Sequence, residues 1–229
     1  MSTYPGGKNG SGVYQTIINN IPPHRIYVEP FLGGGAILRM KRPAAVNIAI
    51  DINRKVIQSF DPDTTPNLTL LQRDALKWLD KNPYPGDTFI YCDPPYLMSS
   101  RSQQRRIYAN EFNIANHITL LTILKSQTAM IMLSGYPNAL YDGALKGWNT
   151  KTFMTTTRGG NYVTEKLWMN YPTPVELHDY SFLGSNFRER ERIKRKKKRW
   201  ISRLLTMRDL ERQALAAAIA EMSGTGQHR

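Results

Sequence analysis

Asp93-Pro94-Pro95-Tyr96 follows directly on the apolar run Thr88-Phe89-Ile90-Tyr91-Cys92. A carboxylate, a diproline and an aromatic ring in that order suit one kind of chemistry. An exocyclic amine on a nucleobase is a poor nucleophile because its lone pair is delocalised into the ring. Two acceptors that receive its two N–H groups turn the nitrogen toward sp3 geometry. The Asp93 carboxylate is one acceptor. The Pro94 carbonyl, fixed in direction by the restricted proline torsions, is the other. Tyr96 offers an aromatic face to a base swung out of its stack. The set is suited to methylation of an amine. The same four residues also read as a rigid strand-to-loop turn, and on their own they leave both readings open.

Glu29-Pro30-Phe31-Leu32-Gly33-Gly34-Gly35 is the second candidate. Glycines let a backbone turn tightly and approach a ligand closely. Ile37-Leu38 falls where the third glycine of Gly-x-Gly-x-x-Gly would stand, and no Gly-Lys-Ser/Thr follows, so a NAD enzyme and an ATPase are disfavoured. Asp51 closes the next apolar run and is placed either to accept from ribose hydroxyls or to cap a helix.

The elements that must position these residues alternate along the chain. Strands are expected at Arg25–Glu29, Ala45–Asp51, Thr88–Cys92 and Ala129–Ser134. Helices are expected at about Ser11–Asn20, Ala36–Met40, Asn53–Phe60, Asp74–Lys81 and Ile114–Gln127. A terminal hairpin pairs Thr150–Thr157 with Glu165–Asn170 around Arg158-Gly159-Gly160-Asn161, and Leu97–Asn110 reads as a polar, basic loop. Charged helices at Phe187–Trp200 and on to about Met222 complete the chain. The expected fold is α/β and Rossmann-like, a mostly parallel sheet with a C-terminal antiparallel hairpin and a basic, helical C-terminal extension. Two units are expected, 1–180 and 181–229.

Composition narrows the partner. The 229 residues carry 31 Lys+Arg against 18 Asp+Glu, a net charge of +13, and residues 181–229 account for +8 of it. An excess gathered in a fifth of the chain points to a polyanion, with nucleic acid ahead of an anionic membrane surface, although a solvated tail would look the same. With 41% hydrophobic and 10% aromatic residues the chain can fill a core. No apolar run has membrane-spanning length and no signal-peptide core follows Met1, so a cytoplasmic protein with access to DNA is expected. The single cysteine, Cys92, and four scattered histidines offer no disulfide framework and no metal-ligand spacing, so no metal is expected.

In order, Tyr4-x-Gly6-Gly7-Lys8, Glu29-Pro30-Phe31-x-Gly33-Gly34-Gly35, Asp51-Ile52-Asn53 and Asp93-Pro94-Pro95-Tyr96 resemble the motif series of the Dam-like, alpha-ordered N6-adenine DNA methyltransferases. Tyr108-x-x-x-Phe112, Leu133-Ser134-Gly135-Tyr136 and Thr164-Glu165-x-Leu167-Trp168-Met169-Asn170-Tyr171 extend the resemblance, which spans about Tyr4 to Tyr171. It implies a methyltransferase fold with S-adenosylmethionine as methyl donor and DNA as partner. It further implies that Tyr4, Lys8, Glu29, Phe31 and Gly33 contact the donor, that Asp51 holds its ribose, that Asp74 bounds its adenine, and that Asp93 serves both donor and target.

One departure stands out. Dam-like enzymes commonly insert a target-recognition domain before the catalytic strand, and only Ala75–Cys92 lies between Asp74 and Asp93 here. This is a minimal member by resemblance, with short or relaxed sequence preference expected. Phosphate contacts are then expected from Arg101, Arg105 and Arg106 in the loop, from Arg158 in the hairpin, and from Arg195, Lys196, Lys197, Lys198 and Arg199 in the tail. Leu215, Ile219 and Met222 form a helical apolar stripe suited to packing on the body or on a second copy of the chain. An RNA adenine methyltransferase and an inert nucleic-acid-binding protein on the same fold are the alternatives.

Overall fold

The computed structural model describes residues 6–101, 106–156 and 160–224. They divide into two units, Met1–Phe182 and Leu183–Arg229. The first is built around one seven-stranded sheet, in the order β3-β2-β1-β4-β5-β7-β6. These strands are β1 (Ile26–Glu29), β2 (Val46–Asp51), β3 (Leu68–Gln72), β4 (Thr88–Cys92), β5 (Met130–Gly135), β6 (Asn149–Thr156) and β7 (Tyr162–Met169). Strands β1 to β5 are parallel, and β7 runs antiparallel to both β5 and β6. This is the mostly parallel sheet with an antiparallel terminal hairpin that the sequence implies.

The central strands are apolar throughout because helices cover both faces. All five residues of β4 are buried. Period-two alternation sorts their side chains: Tyr27, Phe89, Tyr91 and Met132 join one core, and Val28, Ile90, Cys92, Ile131 and Leu133 the other. Helices α1 (Val13–Ile18), α2 (Ala36–Met40) and α3 (Arg54–Ser59) feed the first core through Ile17, Leu38 and Val56. Helices α4 (Ala75–Lys81), α5 (Ile114–Ser126) and α6 (Ala139–Ala144) feed the second through Leu79, Leu120 and Tyr141.

Strand order fixes where a ligand can bind. Strand β1 pairs with β2 on one side and β4 on the other, so the chain leaves β1 and β4 in opposite directions and opens a crevice at their carboxyl ends. Glu29 ends β1, and Asp93 follows β4. The glycine-rich turn bends between β1 and α2 with Gly33 at φ 48° and Gly35 at φ 59°. A Cβ on Gly35 would lie 2.3 Å from the Phe60 ring, so no larger residue fits there.

Two elements were not anticipated. Strand β3 is an edge strand whose residues are exposed or half-buried, and α6 is a six-residue helix capped by Asn138. In the second unit, α7 (Phe187–Thr206) runs six residues further than expected, and α8 (Asp209–Gly224) follows. No helix among the described residues is long and apolar enough to cross a membrane.

Candidate active site

Strand β4 delivers Asp93 to the mouth of the crevice, where three elements meet it. Ser134 Oγ, from β5, donates to Asp93 Oδ1 at 2.9 Å. Lys8 Nζ, from the N-terminal loop, lies 2.9 Å from each carboxylate oxygen. The same ammonium bonds the Tyr96 hydroxyl. It also reaches the Gly6 carbonyl at 3.3 Å and stands 3.7 Å from Glu165 Oε2 of β7. Burial alone would drag Lys8 down, but Asp93 and Glu165 outweigh it and hold the ammonium above its usual range. Lys8 therefore stays charged beside the Asp93 carboxylate, and it is also one of the residues that line the cavity next to it.

That cavity measures about 270 Å³ and runs along the β1 and β2 ends from Asp93. Lys8, Glu29, Phe31, Gly33, Asp51, Asp74 and Asp93 all line it. Asp51 accepts from the Gly33 N–H at 2.9 Å and the Asn53 N–H at 2.8 Å, so it braces the glycine turn and leads into α3 at once. Asp74 caps α4 by accepting from the N–H groups of Leu76 and Lys77. Glu29 is buried, accepts from the Tyr27 hydroxyl at 2.6 Å, and is pushed by burial up to about 8 against the pull of that hydrogen bond. Phe31 meets Phe112 edge to face at 5.5 Å and forms an apolar wall. Among the lining residues five carboxylates, Glu29, Asp51, Asp74, Asp93 and Glu111, face a single lysine. Two of these are already matched by cations, Asp93 by Lys8 and Glu111 by Arg101, and burial favours the neutral form of Glu29.

Several site expectations change. Tyr96 stands beside Asp93 but is only 5% exposed, with its ring edge to face with Tyr136 at 4.6 Å. Its face is turned to protein rather than offered to solvent. Arg101, expected on phosphates, is buried: its guanidinium bonds the Tyr96 carbonyl and forms a two-pronged pair with Glu111 at 2.9 and 2.6 Å. It is an internal strut, because a buried guanidinium must be fully paired. Arg106 and Arg195 to Arg199 are exposed. Tyr4, Arg105 and Arg158 lie outside the described residues.

Ser134 and Glu165 belong to the motif series but have no role assigned by it, and Glu111 falls on an unspecified position between Tyr108 and Phe112. For Glu165 a signal existed: it shares a strand face with the buried Leu167 and Met169, and a carboxylate at that period points into the core. Among the described residues no group of three or more His, Cys, Asp or Glu is arranged to hold a metal ion.

Residues 62–150 match the family model described as D12 class N6 adenine-specific DNA methyltransferase, consistent with the Dam-like resemblance. That match supports methyltransferase activity and implies S-adenosylmethionine as donor. No curated protein matches the sequence. Similar solved structures include a precorrin 8w decarboxylase of Methanobacterium thermoautotrophicum, at 15% identity over 74% of this chain and 94% of that one, with a TM-score of 0.48. The 23S rRNA methyltransferase ErmE is similar at 11% identity over 77% and 72%, with a TM-score of 0.45. The magnesium protoporphyrin IX methyltransferase of Synechocystis PCC 6803, solved with bound SAM, is similar at 14% identity over 69% and 76%, with a TM-score of 0.43.

Proposed function

We propose that this protein methylates the N6 amine of adenine in DNA, with S-adenosylmethionine as donor and a short or relaxed sequence preference. The observation that carries the reading is the meeting of Asp93-Pro94-Pro95-Tyr96 with a carboxylate-lined cavity at the switch point of the sheet. When bound, S-adenosylmethionine supplies an electrophilic methyl on a sulfonium, and it carries a second positive charge on its α-ammonium. With its α-carboxylate the donor has a net charge of +1, which suits Asp51 and Asp74, the lining carboxylates whose hydrogen bonds come from backbone N–H groups rather than from a cation. Asp51 would hold the ribose hydroxyls, the wall made by Phe31 and Phe112 would cover the adenine with Asp74 at its edge, and Glu29 and Asp93 would face the positive end.

The chain's own residues then prepare the acceptor. Asp93 and the Pro94 carbonyl receive the two N–H groups of the target amine and localise its lone pair. As the nitrogen–carbon bond forms, the methyl–sulfur bond would break and release the neutral thioether; the nitrogen becomes positive, and Asp93 stabilises that charge and takes the proton that leaves. Ser134 fixes the rotation of the Asp93 carboxylate. Tyr96 and Tyr136 wall the site against water. Arg106 and the Arg195–Arg199 run neutralise phosphates irrespective of sequence.

Labelled methyl transfer to duplex DNA, with separation of the product nucleosides, tests the reading. Wild-type protein yields N6-methyladenine in many sequence contexts. Asp93→Ala lowers the rate by at least about 100-fold, on the scale of losing one transition-state hydrogen-bond partner, with the folded circular-dichroism spectrum retained. Near-normal turnover by that variant defeats the mechanism, and label in RNA alone defeats the substrate assignment.

A further inference from the structure

Lys8 Nζ is crowded with acceptors. It has three protons to donate, yet both Asp93 oxygens, the Tyr96 hydroxyl and the Gly6 carbonyl lie within hydrogen-bond reach, with Glu165 Oε2 just outside it at 3.7 Å. Glu165 is 6% exposed, and its Oε2 has no hydrogen-bond partner among the described residues. An unpaired buried carboxylate oxygen is costly, and its persistence calls for a reason. Asp93 has the opposite difficulty. Its Oδ1 already accepts from both Lys8 and Ser134, and its Oδ2 faces Lys8, so the protein's own donors occupy the carboxylate that the amine must reach.

Building on the methyl-transfer reading, we infer that Glu165 is a positioning residue: it is the second carboxylate onto which Lys8 moves when the target amine takes Asp93. The move is small. Shortening 3.7 Å to an ordinary charge-assisted bond of about 2.8 Å asks for about 1 Å of travel at the end of a flexible side chain. Its electrostatic effect is large in a buried site. Asp93, Glu165 and Lys8 together carry one negative charge in excess. With Lys8 on Asp93 that charge rests on Glu165. With Lys8 on Glu165 it rests on Asp93, beside the nitrogen that becomes positive as the methyl arrives. The carboxyl of Glu165 is raised by burial and by the neighbouring Asp93, and pulled back by Lys8 and the Tyr96 hydroxyl, so it already feels the cation it is to receive. The target amine thus meets a free acceptor without any need for Lys8 to return to solvent.

A crystal structure of Asp93→Asn, without nucleic acid, tests the transfer directly. Removing the charge at position 93 mimics its capture, and Lys8 Nζ should move to within about 3.0 Å of Glu165 Oε2. Kinetics test its use. Glu165→Gln should lower kcat by roughly 10- to 100-fold, the scale of a misplaced catalytic group, with melting temperature and directly titrated donor affinity unchanged. Glu165→Asp, which keeps the charge, should recover part of the loss. A Lys8 that stays at position 93 in the crystal, or a Glu165→Gln variant that turns over at the wild-type rate, overturns the inference. The crystal contains no substrate, so a stationary Lys8 refutes the transfer alone. A wild-type protein without transferase activity refutes the methylation reading instead and leaves the crystal result standing.

Discussion

Glu29 shows how a single buried group can report on the ligand. Its carboxyl is raised to about 8 by burial, so in the empty cavity it is largely protonated at neutral pH. A sulfonium or ammonium placed beside it favours the ionised form. Binding must therefore expel a proton below pH 8, and affinity for S-adenosylmethionine should tighten as pH rises toward that value and level off above it. The slope approaches tenfold per pH unit where one proton is released. Titration calorimetry in two buffers of different ionisation enthalpy counts that proton. Glu29→Gln should bind with little pH dependence, and an affinity that weakens with rising pH would contradict the assignment. That Asp93, Lys8, Glu29 and Asp51 gather at one cavity was readable in the sequence, because each stands in a short motif at the end of a strand or in a glycine-rich turn. The pairing of Lys8 with Asp93 was not, since nothing local links residues 85 positions apart.

Among the elements, the segment from Tyr96 to Glu111 is the one whose apparent character misleads. Its composition is that of a basic surface loop, yet its ends are tied by a buried pair. Glu111 accepts from the Arg101 guanidinium and from the Ile107 and Tyr108 N–H groups, while Arg101 grips the Tyr96 carbonyl. The Tyr108 hydroxyl packs so close to Gly6 that a Cβ there would meet it at 2.7 Å, which joins the segment to the N-terminal turn that carries Lys8. Glu111→Gln strands a buried guanidinium and should cost about 3 kcal/mol of stability, seen as a lowered melting temperature. Arg101→Lys should not substitute, because an ammonium lacks the planar fork that spans Glu111 and the Tyr96 carbonyl. Central strands β1, β2, β4 and β5 were legible from unbroken apolar runs. Strand β3 was not, since a half-exposed edge strand lacks such a run.

At the scale of the whole molecule, charge is sorted by place: carboxylates line the cavity and basic residues are concentrated in the second unit. Arg195 to Arg199 are exposed along α7, but successive residues on a helix turn by about 100°, so roughly three of the five can face one phosphate track. Truncation before Arg188 should weaken binding to duplex DNA and reduce the slope of log affinity against log salt by about 3. Fluorescence anisotropy across a salt series measures both. An unchanged slope would remove α7 from the phosphate contacts.

The sheet order carries a consequence for the life of the chain before it is an enzyme. Strand β7 lies between β5 and β6, so β6 has no partner in the sheet until β7 exists. Lys8 emerges early from synthesis, Asp93 well after it, and Glu165 with the final strand of the sheet. A nascent polypeptide with β1 to β5 in place still lacks Glu165, the carboxylate proposed to receive Lys8, so full turnover would wait for the last strand to slot into the sheet.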